Sequence, residues 1–304
     1  MTRVAVIGTG AMGKNHVRVY QEMPEVDLVA IVDWDISTAE KLGQIYRVPA
    51  YADLHEMLKK EKPDAVSVAV PTKAHFSVAK SLLEAGCHTL VEKPITETLE
   101  EAQELIQISE RVGVTLVVGH IERFNPAITE LKRRIDAGEL GRIFQVHARR
   151  LGPFPARIRD VGVLMDLATH DLDIMQYLIG GLVTRVFAET KREIHAHCED
   201  MMIGVLRFED STLGLLEINW LTPTKIRKLY VTGERGMFLV DYLTQDLFYY
   251  ENAETNDSSW SALEILQGVS QGYMVQFPIK KKEPLRAELE AFIARVQGKE
   301  SRVV

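Results

Sequence analysis

The run from Arg3 to Asp33 constrains the chain most. Arg3-Val4-Ala5-Val6-Ile7 is a short apolar strand, and Gly8-Thr9-Gly10-Ala11-Met12-Gly13 follows it without a break. A helix from Lys14 to Gln21 comes next, then a strand from Asp27 to Val32 that ends on Asp33. Gly8 permits the tight turn, Gly10 lets backbone approach a ligand, and Gly13 lets helix and strand pack closely. The N-terminus of that helix offers free N–H groups and a positive dipole end to a pyrophosphate, and Ala11 and Met12 of the turn are counted with the glycines as cofactor contacts. Asp33 lies twenty residues past Gly13, where an acid accepts from ribose hydroxyls and repels a 2′-phosphate. Trp34 and Asp35 follow it, with no arginine to meet that phosphate, so NAD is favoured over NADP.

The same alternation continues. Helices are expected over Ser37–Tyr46, with Ser37 as N-cap, over Leu54–Lys60, Ala74–Ala85 and Thr98–Val112. Strands fall at Tyr51, Ala65–Val70, His88–Glu92 and Val114–Val118. Strands and helices in strict turn specify a doubly wound parallel sheet covered on both faces. Thr72 and His75 lie just past a strand end, where they could meet the nicotinamide half of the cofactor; His75 could equally be an ordinary first-turn residue. Thr89-Leu90-Val91 runs into Glu92-Lys93-Pro94, and Pro94 stops the strand because it has no N–H to give. Charge at a strand's carboxyl end is delivered to the ligand crevice, which places Glu92 and Lys93 beside the cofactor.

After Gly119 the pattern changes. His120-Ile121-Glu122-Arg123-Phe124-Asn125 is polar and aromatic, and Pro126 opens a helix to Ala137. Strands follow at Arg142–Arg149, Val183–Lys191, Asp200–Phe208, Thr212–Trp220, Ile226–Thr232, Met237–Asp241 and Leu247–Tyr250. Turns such as Glu209-Asp210 and Gly233-Glu234 join them into an antiparallel sheet, interrupted by one helix over Gly162–Ile179. A last helix, Glu283–Val296, carries Leu285, Leu289, Phe292 and Ile293 on one face. The expected organisation is a dinucleotide-binding Rossmann domain over 1–120 and an α+β domain over 121–304.

In the interrupting helix Asp166, His170 and Asp173 fall at i, i+4 and i+7, on one face, with Met165, Leu172 and Met175 available for the core. Carboxylates a turn either side of an imidazole can orient it and hold one tautomer. A solvated polar stripe is the alternative. No further His or Cys falls at ligand spacing, so no metal centre is expected.

The chain has 304 residues, enough for two cores, with 46% apolar and 26% charged residues and a net charge of −7. That charge argues against a nucleic-acid or anionic-membrane partner, and Lys280-Lys281-Lys282 reads as a solvated turn. Cys87 and Cys198 stand far apart, which suits a reducing cytoplasm. No apolar run reaches membrane-spanning length, and the first strand begins too early for a signal peptide.

The glycine motif with Asp33, the Glu92-Lys93-Pro94 triplet and the Asp166…His170…Asp173 helix together resemble the Gfo/Idh/MocA family of dehydrogenases. The resemblance covers nearly the whole chain. It implies a Rossmann domain followed by an α+β domain whose open sheet forms oligomer contacts, giving a dimer or tetramer, and a terminal helix packed back on the first domain. It matches Lys93, Asp166 and His170 to the family's catalytic lysine, aspartate and histidine. The segment from Gly119 to Pro126 looks like that of the family's UDP-N-acetylglucosamine 3-dehydrogenases and related nucleotide-sugar enzymes. Arg157 and Arg159 could then meet a diphosphate or could be surface arginines. Arg123, Asn125 and Asp173 are candidates for substrate hydroxyls.

The expected reaction moves a hydride between a secondary hydroxyl of a sugar or nucleotide sugar and the nicotinamide. His170 serves as base, Asp166 orients it, and Lys93 stabilises the alkoxide-like oxygen. His170 and Lys93 remain alternative bases, since a desolvated lysine can be tuned toward neutrality. Two other readings stand beside it: a dehydrogenase of a free cyclic polyol, and an NAD-binding sensor without turnover. Met1 to Arg3 provide no cofactor-wrapping arm, so an exchangeable cofactor is expected.

Overall fold

The computed structural model describes residues 1–155, 161–195, 197–252, 271–301 and 303–304. It separates into two units, Met1–Ile121 with Glu283–Val304, and Glu122–Lys282. Among the described residues no helix is long and apolar enough to cross a membrane.

In the first unit, β1 (Thr2–Ile7), β2 (Val26–Val32), β3 (Ala50–Tyr51), β4 (Ala65–Val68), β5 (His88–Glu92) and β6 (Leu116–Gly119) form a six-stranded parallel sheet. Its order, β3-β2-β1-β4-β5-β6, reverses direction between β1 and β4. Between the strands run α1 (Ala11–Gln21), α2 (Ile36–Tyr46), α3 (Leu54–Glu61), α4 (Thr72–Glu84) and α5 (Leu99–Val112). Successive strand residues face opposite sides, so β5 sends Leu90 to one core and Val91 to the other. The Leu90 side packs on α1 through Val17 and Tyr20 and on Leu285, Leu289, Phe292 and Ile293 of the last helix, Pro284–Val296. Burying aliphatic or aromatic side chains of this size stabilises by roughly 1.5–3 kcal/mol each.

Local capping departs from the sequence expectation in two places. α1 starts at Ala11, three residues earlier than expected, because Gly10 already serves as its N-cap. α2 is capped by Asp35 rather than Ser37: the Ser37 N–H donates to Asp35 Oδ1 at 3.1 Å. The remaining strand and helix limits in this unit move by a few residues only, as helix and strand ends commonly do.

The second unit is built on an eight-stranded sheet. Its members are β7 (Ile143–Pro153), β8 (Val183–Lys191), β9 (Met201–Phe208), β10 (Leu213–Asn219), β11 (Leu221–Gly233), β12 (Gly236–Asp241), β13 (Asp246–Asn252) and β14 (Gln271–Gln276). The order is β14-β13-β12-β11-β7-β10-β9-β8, antiparallel except for the β7–β10 pair. β7 and β11 are longer than the sequence pattern indicated, and β14, with a glycine and glutamines in six residues, was not expected. One face carries Val146, Ala148, Leu229, Val231 and Val240 against Ile128 and Leu131 of α6 (Pro126–Asp136) and Ile174, Met175 and Leu178 of α7 (Thr169–Ile179). The closing helix of the chain, Pro284–Val296, is α8.

Candidate active site

The loops after β1 and β4 meet where the strand order reverses, the position at which open α/β sheets bind ligands. Gly8 has φ +92°, and a Cβ there would lie 2.5 Å from the Ala69 carbonyl oxygen. A Cβ on Gly13 would lie 1.8 Å from Gly8 O, so only glycine lets α1 pack on this turn. Gly10 differs: a Cβ there meets nothing within 4 Å. Open space above Gly10 is what a pyrophosphate needs.

Capping points the same way. α2, α3 and α5 have side-chain caps from Asp35, Asp53 and Thr98, whereas α1 and α4 have none and no acid in their first turns. The two helices beside the switch point therefore keep N–H groups available for an anion. Ala11 is exposed at the first turn of α1 and Thr72 opens α4, while Met12 packs partly into the core. Asp33 follows β2, where Oδ2 accepts from Thr9 N at 2.7 Å and Thr9 Oγ1 at 2.5 Å, and Oδ1 from Asp35 N at 3.0 Å. A carboxylate has about four acceptor positions, so this anchoring leaves capacity for a ribose hydroxyl. Loop, helix ends and acid fit NAD. Gly10→Val is expected to weaken NAD binding roughly tenfold or more, about 1.4 kcal/mol, with the fold intact. Gly13→Ala should instead lower the melting temperature; isothermal titration and thermal denaturation separate the two.

Two expected cofactor contacts are placed otherwise. His75 is buried, with Nδ1 2.7 Å from Pro94 O and Nε2 2.9 Å from Val70 O. Both ring nitrogens face carbonyls, so His75 ties the loops after β4 and β5 together rather than meeting the nicotinamide. Glu92 lies on the Leu90 side of β5, two residues on, and turns inward to His16 Nε2 at 2.9 Å. Lys93 follows directly, half-buried, and its peptide bond to Pro94 is cis.

In the second unit the polar helix is not uniform. Asp166 belongs to a π-helical turn, Leu164–Ala168, which leads into α7 with His170 in its first turn. Such single turns of wider helix are frequent at functional sites. Asp166, His170 and Asp173 are all half-buried. Met165 and Leu172, expected in the core, are exposed; Leu167, Ala168, Asp171, Ile174 and Met175 face inward instead. Asp171 is 1% exposed, so the acid next to His170 is the structural one.

The expected substrate contacts are largely engaged within this unit. Arg123 grips Asp173 through Nε at 2.8 Å and Nη2 at 2.5 Å and lies over the Tyr177 ring. Asn125 is buried as the N-cap of α6: its Oδ1 accepts from Ala127 N and its Nδ2 donates to Tyr242 O. It holds backbone, which removes it as a direct substrate contact. Arg157 and Arg159 lie outside the described residues.

Sequence reasoning missed a charged cluster under the helix. Arg150, 4% exposed, donates to Asp171 at 2.6 and 3.0 Å and to Glu122 at 2.8 Å. Burial works to discharge Arg150, but the carboxylates of Asp171 and Glu122 outweigh it and hold its pKa well above the usual value. Arg227 on β11 donates to the carbonyls of Leu151 and Ile226. Burial, reinforced by the like charge of Arg150, lowers it to about 10, with Asp171, Glu122 and Asp166 acting the other way.

Residues 2–120 match the family described as oxidoreductase family, NAD-binding Rossmann fold, and residues 128–239 match the GFO/IDH/MocA C-terminal domain. A UDP-N-acetylglucosamine 3-dehydrogenase of Acidithiobacillus ferrooxidans is 30% identical over 96% of this chain and 87% of its own length. The chain belongs to the Gfo/Idh/MocA oxidoreductase family. Among other relatives are a D-glucoside 3-dehydrogenase of Escherichia coli, 33% identical over 71% of this chain and 67% of the relative, and a scyllo-inositol 2-dehydrogenase of Bacillus subtilis, 30% identical over 78% and 73%. The solved structure of the Acidithiobacillus enzyme superposes with a TM-score of 0.87, covering 99% of this chain and 90% of that one at 28% identity. As a member of this family the protein is an NAD-binding oxidoreductase.

Proposed function

We propose that this oxidoreductase acts on a secondary hydroxyl of a nucleotide sugar, with the 3-position of UDP-N-acetylglucosamine as the first candidate and NAD as partner. The observation that carries this reading is the similarity to the Acidithiobacillus enzyme, which extends through both units and nearly the full length of both chains. The carboxylate of Asp33 supports NAD over NADP, since a 2′-phosphate beside it would be repelled.

Bound NAD supplies the hydride acceptor. His170 takes the hydroxyl proton while Asp166 orients its ring, and Lys93 donates to the oxygen as charge develops there. The Arg123–Asp173 pair holds α7 from the side. Arg227, together with Arg157 and Arg159, supplies the positive charge a diphosphate requires. We also read the open face of the second sheet, where Phe187 and Val205 are exposed opposite each other on neighbouring strands, as the surface on which two or four copies associate. Two free cysteines suit a reducing cytoplasm; Cys87 is a core residue whose thiol burial pushes up to about 11.

A second reading, a free cyclic polyol as substrate, is favoured by the similarity to the inositol dehydrogenase. The experiment that separates them is NADH formation with UDP-N-acetylglucosamine, UDP-glucose, glucose and myo-inositol. Reduction with the UDP sugars alone is expected; reduction with myo-inositol alone would remove the nucleotide-sugar reading and the diphosphate role of the arginines.

A further inference from the structure

Behind Lys93 lies a buried polar cluster that the mechanism above does not use. His16 is 0% exposed, and its Nε2 stands 2.9 Å from Glu92 Oε1. Gly119 on β6 makes room for that carboxylate: a Cβ there would come within 3.2 Å of it. Glu288 on α8 is also 0% exposed, in the helical stripe of Leu285, Leu289 and Phe292. His16 Nδ1 and both carboxyl oxygens of Glu288 have no hydrogen-bond partner among the described residues. Tyr20 flanks the cluster one turn along α1, its hydroxyl closed off by Ser67 Oγ at 2.7 Å.

We propose that Glu288, His16 and Glu92 form a buried relay that fastens the end of β5, and so Lys93, to the cofactor-binding helix α1, making His16 and Glu288 positioning residues for the lysine. This rests on the reading of Lys93 as the group that stabilises the reacting oxygen.

The proton count closes. In the tautomer with its N–H on Nε2, His16 donates to Glu92 Oε1 and leaves Nδ1 as an acceptor. Glu288 in its acid form has one O–H to give, and a single buried water can accept it and donate to Nδ1. Burial first, and then the negative charge of Glu92, pushes Glu288 well above the ordinary carboxylic range, consistent with the acid form. Among the described residues, the titratable groups whose charge couples to it are Glu92 from β5 and Tyr20 from α1, and Glu92 is the partner of His16. Each hydrogen bond then joins a different element: α8 to α1, and α1 to β5. Glu92 is the last residue of its strand, and Lys93 is covalently next. A pyrophosphate seated at the N-terminus of α1 loads the same helix that holds Glu92. Cofactor and lysine are thereby referenced to one rigid body.

The test separates position from stability. Glu288→Leu removes a buried acid from an apolar stripe and is expected to raise the melting temperature, more so as pH rises. The sign follows from linkage: an acid whose folded pKa is raised contributes stability that is complete below its unfolded value and is lost as pH rises toward the folded one. The same variant, lacking the O–H, is expected to lower kcat by about tenfold to a hundredfold, with KM and NAD affinity little changed. Glu288→Gln, which keeps an N–H donor, should recover most of that loss. His16→Phe should lower kcat as Glu288→Leu does. A Glu288→Leu enzyme that is more stable and fully active would overturn the relay, provided that Lys93→Met, assayed alongside, is inactive. Full activity in Lys93→Met would overturn the role of the lysine itself, and the relay's purpose with it.

Discussion

Lys93→Met is expected to reduce turnover by a factor of about 10²–10³ while leaving NAD affinity within about threefold. Methionine keeps the length of the side chain and removes only the ammonium. A single preorganised donor aimed at a developing oxyanion is worth about 2.7–4 kcal/mol, which corresponds to that range. The groups that fit the cofactor are elsewhere: the turn from Gly8 to Gly13, the uncapped end of α1, and Asp33 anchored by Thr9. None depends on the charge of Lys93. Single-turnover kinetics with saturating NAD and substrate measure the chemical step, and calorimetric titration measures NAD. A variant that turned over normally but bound NAD poorly would move Lys93 from the chemistry to cofactor anchoring.

The parts of this molecule that were legible in the sequence are those set by periodicity and turn chemistry. Strand, Gly8-x-Gly10-x-x-Gly13, helix and Asp33 occur in an order that few folds other than a Rossmann domain satisfy, and the observed parallel sheet follows it. The illegible parts share one physical cause: a polar residue inside an apolar stripe. Asp171 lies at the helical spacing of Ile174, Met175 and Leu178, and Glu288 at that of Leu285, Leu289 and Phe292. Arg150 shares the inward alternation of Val146 and Ala148 on β7. A reading that scores such positions as breaks in the pattern assigns them to solvent. Buried charges require partners, so each break is better read as half of a pair whose other half lies elsewhere in the chain. Asn125 illustrates the related limit: before Pro126 it has the signature of a helix N-cap, and that local role, rather than sugar recognition, is where its side chain is found.

Asp171→Ala is expected to cost about 3–5 kcal/mol of folding stability, because it leaves the buried Arg150 guanidinium with Glu122 as its one carboxylate partner among the described residues. Replacing both partners, as in Arg150→Met with Asp171→Leu, should recover most of the loss, since apolar residues of similar volume often match or exceed a buried ion pair. Denaturant unfolding of the parent, Arg150→Met, Asp171→Leu and the double variant gives the coupling directly. A single-variant cost below about 1 kcal/mol would mean the pair is solvated and weak, contrary to its near-complete burial. The more informative quantity is the turnover of the double variant. Bidentate geometry fixes the rotation of α7 against β7 through two nitrogens, and the Arg150 guanidinium is itself held over the Tyr242 ring at 5.3 Å. Apolar replacements fill the volume but accept a range of rotations. Asp171 is the residue next to His170, and a few degrees of helix rotation displaces the imidazole by a fraction of an ångström. A double variant as stable as the parent but slower in turnover would therefore assign the ion pair to alignment of His170, the proposed base, and one that is equally stable and equally fast would assign it to folding alone.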